Sequence, residues 1–68
     1  MGKVYKKVEL VGSSPESVEA AIQEALKRAA KTLRHLDWFE VEEIRGLIGE
    51  EGVKEYQVVL KVGFRLEE

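Results

Sequence analysis

The stretch VKEYQVVLKVGFRL, residues 53–66, alternates apolar and mostly polar side chains more regularly than any other part of the chain. A period of two predicts a β-strand with one buried face. At about 3.3 Å per residue, the strand is roughly 45 Å long. The apolar side chains occupy every even position from Tyr56 onward: Tyr56, Val58, Leu60, Val62, Phe64 and Leu66.

A helix precedes this strand and is too short to cover it. The segment Ser13-Ser14-Pro15-Glu16 has the serine cap and first-turn proline of a helix start, and the helix is predicted to run to about Arg34. Lys31, Arg34 and His35 are then cations near its negative end. At about 1.5 Å per residue the helix spans about 30 Å, so the sheet must curl around it, extend into a neighbouring subunit, or both. Its apolar stripe comprises Val18, Ala21, Ile22, Ala25, Leu26, Ala29 and Leu33.

Two further strands complete the chain. The first covers residues 3–11, and the second covers residues 37–49. In the second, the apolar alternation changes phase, and a β-bulge near Glu42-Glu43 would reconcile the two halves. The segment 49–52 (GEEG) predicts a short hairpin connection. The order strand, helix, strand, strand predicts one α+β domain over residues 1–68.

Composition excludes several classes of protein and of site. The 68 residues include no cysteine and a single histidine, which excludes disulfides and a multi-histidine metal site within one chain. A net charge of −2 argues against nucleic-acid binding, and no apolar run is long enough to span a membrane. The N-terminus lacks a signal-peptide pattern, so we expect a cytoplasmic protein. A chain this short needs another source of stability, and oligomerisation is the remaining route.

The sheet face opposite the helix is the candidate functional surface. We expect the helix to cover the face that carries Val8, Phe39, Val41, Ile44, Val58, Leu60 and Val62. The other face then carries Tyr5, Val11, Trp38, Arg45, Leu47, Gln57, Val59 and Arg65. Without a second helix a monomer would expose its only tryptophan, which favours an interface or a ligand surface. The residue pattern alone leaves open that Trp38 is a half-buried strand residue without a ligand.

Four stretches together resemble the dodecin family, above all its bacterial and thermophilic members: VYK (4–6), VELVG (8–12), HLDWFEVEEIRG (35–46) and YQVVLKVGF (56–64). The resemblance covers essentially the whole chain. It implies a three-stranded antiparallel sheet that partly wraps one helix, in a hollow shell of twelve copies. It also implies that flavins bind in pairs at two-fold contacts between subunits.

The resemblance assigns roles to particular residues. Trp38 matches a tryptophan that stacks on the isoalloxazine ring, and Gln57 matches an amide that reads the pyrimidine edge of the flavin. Arg45 and Arg65 are then candidates for binding the phosphate of FMN or for contacts between subunits. The alternative is that they form surface ion pairs with Glu43 and Glu67. The resemblance also makes Lys3, Tyr5 and Lys6, with Lys7 beside them, a candidate patch for an anionic ligand such as coenzyme A, although their spacing alone favours a solvated strand end.

The implied function is flavin storage with quenching of the excited flavin, without catalysis. FMN is the expected ligand, with riboflavin or FAD as alternatives. A flavin-dependent reductase is a competing hypothesis, but the chain has no GxGxxG fingerprint and no cysteine nucleophile. The third hypothesis is a structural assembly module that binds no flavin.

Overall fold

The computed structural model describes residues 2–67 and confirms the predicted α+β architecture. The three strands form one antiparallel sheet in the order β1-β3-β2. The elements, in chain order, are β1 (Tyr5–Ser14), α1 (Val18–Ala29), β2 (Leu36–Gly49) and β3 (Gly52–Arg65).

Strand β3 is the centre of the fold because it pairs with both other strands. Its even-numbered residues Val58, Leu60 and Val62 point toward α1 and are fully buried. The alternation in residues 53–66 therefore identified the core strand correctly. At its start, Gly49 pairs with Gly52 around the two-residue connection 50–51, and Gly52 has a φ of +118°, which glycine adopts without strain.

The predicted bulge in β2 is confirmed. Val41 lies opposite Leu60 on β3, and Glu43 lies opposite the adjacent residue Val59. Glu42 is thus the additional residue, and it shifts the alternation of β2 by one position. The consequence is that Ile44 stays on the same face of the sheet as Val41.

The predicted helix start is wrong by one turn. Ser14 is the last residue of β1, and its hydroxyl accepts a hydrogen bond from the Glu16 backbone N–H at 3.0 Å. The N-cap is Ser17, whose hydroxyl accepts from the Ala20 N–H at 3.0 Å. Either serine satisfies the capping preference, and the pairing of β1 with β3 as far as Tyr56 decides between them.

The predicted helix end is also wrong. The helix ends at Ala29, after which the N–H groups of Lys31 and Thr32 donate to carbonyls three residues back and tighten the chain into a turn. Lys31, Arg34 and His35 therefore lie beyond the helix, and the basic residues of its last turn are Lys27 and Arg28. His35, with a φ of +62°, lies in the connection between α1 and β2.

The helix covers only part of the sheet. Its small buried residues Ala21 and Ala25 lie against Gly12 of β1, where a β-carbon would meet the Ala21 carbonyl and the Ala25 side chain. This close approach seats α1 on β1 and β3.

Strand β2 is left uncovered on the helix side. We predicted that the helix would bury its apolar residues, and this is wrong: Phe39, Val41 and Ile44 are 43%, 44% and 57% exposed. A 12-residue helix is too narrow and too short to reach the third strand of the sheet.

The protomer is elongated. Its longest dimension is 54 Å, and its radius of gyration is 14.1 Å, against about 11 Å for a compact domain of this length. The β2–β3 hairpin accounts for the excess because it continues past α1. Within residues 2–67, no helix is both long and apolar enough to cross a membrane.

Candidate functional site

The face of the sheet opposite α1, here called the far face, has two polar ends. Cross-strand pairing places Trp38 opposite Gly63 and Tyr5 opposite Arg65, which defines the tryptophan end. The same register places Arg45 opposite Gln57, which defines the glutamine end.

At the tryptophan end, the Trp38 indole lies flat against the backbone of Gly63. A β-carbon on Gly63 would occupy the space of the six-membered ring of the indole. The Tyr5 ring meets Trp38 edge to face, with centroids 5.3 Å apart and planes at 68°, a favourable arrangement for aromatic pairs. Trp38 nevertheless remains 38% exposed, so the far face presents a supported aromatic surface to its surroundings.

A carboxylate holds the polar edge of this indole. The Trp38 Nε1–H donates to Glu40 Oε2 at 2.8 Å, and Lys7 Nζ contacts both Glu40 oxygens at 3.1 and 3.2 Å. The bonds from Trp38 and Lys7, together with the charges of Lys7 and Lys61, lower the pKa of the Glu40 carboxyl, although desolvation acts in the opposite direction. Glu40 is therefore an ionised acceptor at neutral pH.

At the glutamine end, the Gln57 amide is held on both sides. Its Oε1 accepts from Arg45 Nε at 2.7 Å, and its Nε2 donates to Glu55 Oε2 at 2.9 Å. Arg45 also pairs with Glu43 at 3.3 Å, as the surface-pair alternative predicted. The network orients the amide, so that its oxygen faces Arg45 and its nitrogen faces Glu55.

The two ends are far apart within one protomer. Gln57 precedes Gly63 by six residues on β3, which corresponds to roughly 20 Å at about 3.3 Å per residue. This separation exceeds the length of a three-ring isoalloxazine. A single flat ligand therefore cannot touch Trp38 and Gln57 of the same copy.

Arg65 lies beyond Gly63 at the tryptophan end. Its Nη2 is 3.5 Å from His35 Nδ1, and it makes no pair with Glu67, contrary to the surface-pair alternative. Glu67 instead contacts His35 at 3.4 Å and Arg34 at 3.5 Å. Together with Lys3, the side chains of His35 and Arg65 line a shallow pocket at this end.

The predicted site residues are only partly brought together. Trp38, Tyr5 and Arg65 share one end of the far face, with Lys3 in the pocket next to Arg65. Lys6 pairs with Phe64 and therefore points to the helix side, away from Tyr5.

Sequence reasoning missed two residues that shape the site. Gly63 lies within the alternating strand of residues 53–66. A glycine inside a strand often marks a position where another group approaches the backbone closely. Glu40 follows Trp38 by two residues and so shares its face, a spacing that could have indicated the contact. Among residues 2–67, no cluster of three or more histidine or acidic side chains could hold a metal ion.

Comparison with known proteins gives a family match over almost the entire chain. The family model described as Dodecin matches residues 4–67. A curated dodecin from Thermus thermophilus is 84% identical over 68 residues, which cover 100% of this chain and 99% of that protein.

Solved structures agree with this match. A crystal structure of a Thermus thermophilus protein is 84% identical, covers 98% of both chains and superposes with a TM-score of 0.96. W38F, R45A and R65A variants of Thermus thermophilus dodecin superpose with the same score at 82% identity. A more distant structure is the calcium dodecin of Mycobacterium tuberculosis, which is 31% identical, covers 94% of this chain and 91% of its own, and has a TM-score of 0.82.

Proposed function

This chain belongs to the dodecin family, and on that premise we propose that it is a cytoplasmic flavin-storage protein. In the proposed assembly, twelve copies form a hollow shell, and flavins stack in pairs between Trp38 side chains of two-fold-related subunits. The stacked tryptophan quenches the excited flavin, and no substrate is turned over.

The observation that carries the proposal is the supported but exposed indole of Trp38. One face of the indole lies against Gly63, the Tyr5 ring packs on the indole in an edge-to-face arrangement, and Glu40 accepts a hydrogen bond from the indole N–H. A flat aromatic ligand gains apolar burial and dispersion contact when it stacks on such a preorganised surface. These residues fit an isoalloxazine ring, which when bound supplies the absorbing and electron-accepting group.

The separation of the two ends supports a site between subunits. Trp38 and Gln57 lie roughly 20 Å apart in one copy, at about 3.3 Å per strand residue. If both contact one flavin, the amide comes from a different copy than the stacking indole. An amide offers one acceptor and a pair of donors, which suits a pyrimidine edge that alternates carbonyls with N–H.

The uncovered strand β2 supports self-association. Its helix side exposes Phe39, Val41 and Ile44, and its far face exposes Trp38 and Leu47. A strand that exposes apolar side chains on both faces is unusual for a monomer, because exposed apolar patches mark interaction sites. In the proposed shell, other copies of the same chain cover these exposed side chains.

The pocket at the tryptophan end supports a ligand with phosphate. Arg65 and Lys3 line it together with Glu67, whose carboxylate contacts Arg34 and His35, and the Arg65 guanidinium is not paired with a carboxylate among the described residues. Guanidinium binds phosphate through two parallel bonds, so FMN is preferred over riboflavin, with FAD as the larger alternative. Coenzyme A remains a predicted ligand. Its candidate contacts at this end are Lys3 and Tyr5, because Lys6 points to the helix side of the sheet.

The test combines light scattering with flavin titration. We expect a mass near twelve protomers and strong loss of FMN fluorescence on binding. Trp38→Ala removes the stacking surface and should weaken FMN binding by about fivefold or more, since aromatic stacking contributes about 1–3 kcal/mol. Trp38→Phe keeps a smaller ring and should bind FMN with less quenching.

The control is Tyr56→Phe, which removes one hydroxyl from the helix side of β3 and leaves the far face intact. It should bind FMN as the parent does. Unchanged FMN affinity in Trp38→Ala would contradict the proposed site. An assembled parent that binds no flavin would favour the structural module, and catalytic bleaching of bound flavin by NADPH would favour a reductase.

A further inference from the structure

We propose that Glu40 is a positioning residue for Trp38, which fixes the plane of the indole and accepts its N–H proton when the indole is oxidised by an excited flavin. This inference rests on the proposed function. It assigns to Glu40 and Lys7 a role that goes beyond stacking.

The geometry is that of a built acceptor. Glu40 Oε2 accepts the indole N–H at 2.8 Å, the distance of a charge-assisted bond. Lys7 lies on β1 and also points to the far face, and its Nζ is 3.1 and 3.2 Å from the two carboxylate oxygens. Trp38 and Glu40 share the far face, and Lys7 reaches them from β1 across β3, so three elements of the sheet converge on one polar contact.

The charge on the carboxylate matters for the chemistry. A negative oxygen on the N–H raises the electron density of the indole and makes it easier to oxidise. When one electron leaves the indole π-system for the excited isoalloxazine, the remaining radical cation is a far stronger acid than neutral indole. The N–H proton then moves to Glu40 Oε2, and the return of electron and proton restores both partners, with the absorbed light released as heat.

The surrounding charges keep the acceptor ready at neutral pH. Lys7 from β1 and Lys61 from β3 face Glu40, and Lys61 is also within 4.0 Å of Glu42. Glu9, opposite Lys61 on β1, is the other acid in this row. Because the pKa of Glu40 is lowered, the ionised contact is present from the ordinary glutamate range upward and is lost only as the pH falls through the lowered pKa.

The test uses Glu40→Gln, which keeps the shape of the side chain but removes its charge. The matched control is Glu42→Gln on the same strand, which loses only the long contact to Lys61. Trp38 is the only tryptophan, so ultraviolet resonance Raman of the indole N–H reports on this one contact in the assembled, flavin-free protein.

In the parent and in Glu42→Gln, we expect a strong hydrogen-bond signature that weakens on acidification, with a midpoint below the ordinary range of glutamate. In Glu40→Gln this titration should disappear. With FMN bound, transient absorption should show a severalfold longer excited-state lifetime in Glu40→Gln, and a solvent deuterium effect on the decay of the tryptophan radical in the parent only.

The outcomes separate the two proposals. A parent that binds no flavin overturns the proposed function and this inference with it. A flavin-loaded Glu40→Gln protein with the decay and deuterium effect of the parent overturns the role of Glu40 alone, as does a parent whose indole signal does not titrate.

Discussion

Strands β3 and β2 both direct alternating apolar side chains to the helix side of the sheet, but only those of β3 are buried. On β3, Val58, Leu60 and Val62 are fully buried beneath α1. On β2, Phe39 and Ile44 oppose Val62 and Val58 directly, yet both remain exposed. The pattern of a strand therefore identifies which side chains share a face, and the helix decides which of them lose contact with water.

The difference indicates two levels of stabilisation. Burial under α1 stabilises the protomer, whereas burial of β2 requires contact with another molecule. Similar substitutions on the two strands should therefore affect different measurements.

The largest effect is expected for Leu60→Ala. It removes a fully buried side chain beneath α1 and should lower the free energy of unfolding by about 2–5 kcal/mol. Denaturant unfolding monitored by circular dichroism measures the loss.

The substitution of the same size on β2 is Ile44→Ala, at a position that opposes the buried Val58. Because Ile44 is exposed in the protomer, it should leave secondary structure intact and weaken assembly, measured as a lower mass in dilution series by light scattering. Loss of protomer structure without any change in assembly would contradict the comparison.

An intermediate effect is expected for Gly12→Ala, which pushes the helix off the sheet. The added methyl group meets the Ala21 carbonyl oxygen and the Ala25 side chain, and overpacking of this kind costs about 1–3 kcal/mol. Gly46→Ala is the control on the uncovered strand, where the nearest atoms lie at 3.7 and 3.9 Å. Thermal unfolding should separate the two variants, and equal losses would show that α1 does not press closely on Gly12.

The smallest effect is expected for Ser17→Ala, which weakens the helix that provides the cover. It removes the acceptor for the Ala20 N–H and should lower the free energy of unfolding by about 1 kcal/mol. Ser13→Ala is the control, since Ser13 is exposed and its side chain makes no hydrogen bond among the described residues. If Ser13→Ala costs as much as Ser17→Ala, the loss does not arise from the helix cap.

Much of the fold was predictable because it follows local periodicity. The strand in residues 53–66, the bulge at Glu42 and the hairpin at 49–52 each follow from spacing within a few residues. The helix ends were not predictable, because Ser14 and Ser17 are equally good caps and only the pairing of β1 with β3 decides between them. The far-face position of Trp38 was predictable from parity, but its contacts with Tyr5 and Gly63 join residues far apart in the chain.

The sequence by itself determined the order of elements, the core strand and the side of the sheet on which each strand residue lies, since these depend on a period of two along one segment. Only the tertiary structure decided that α1 stops short of β2, that the two polar ends lie far apart, and that Lys7 meets Glu40 across 33 residues. Such contacts depend on register and on how closely a helix can approach a sheet. Both are settled when the distant parts of the chain pack together.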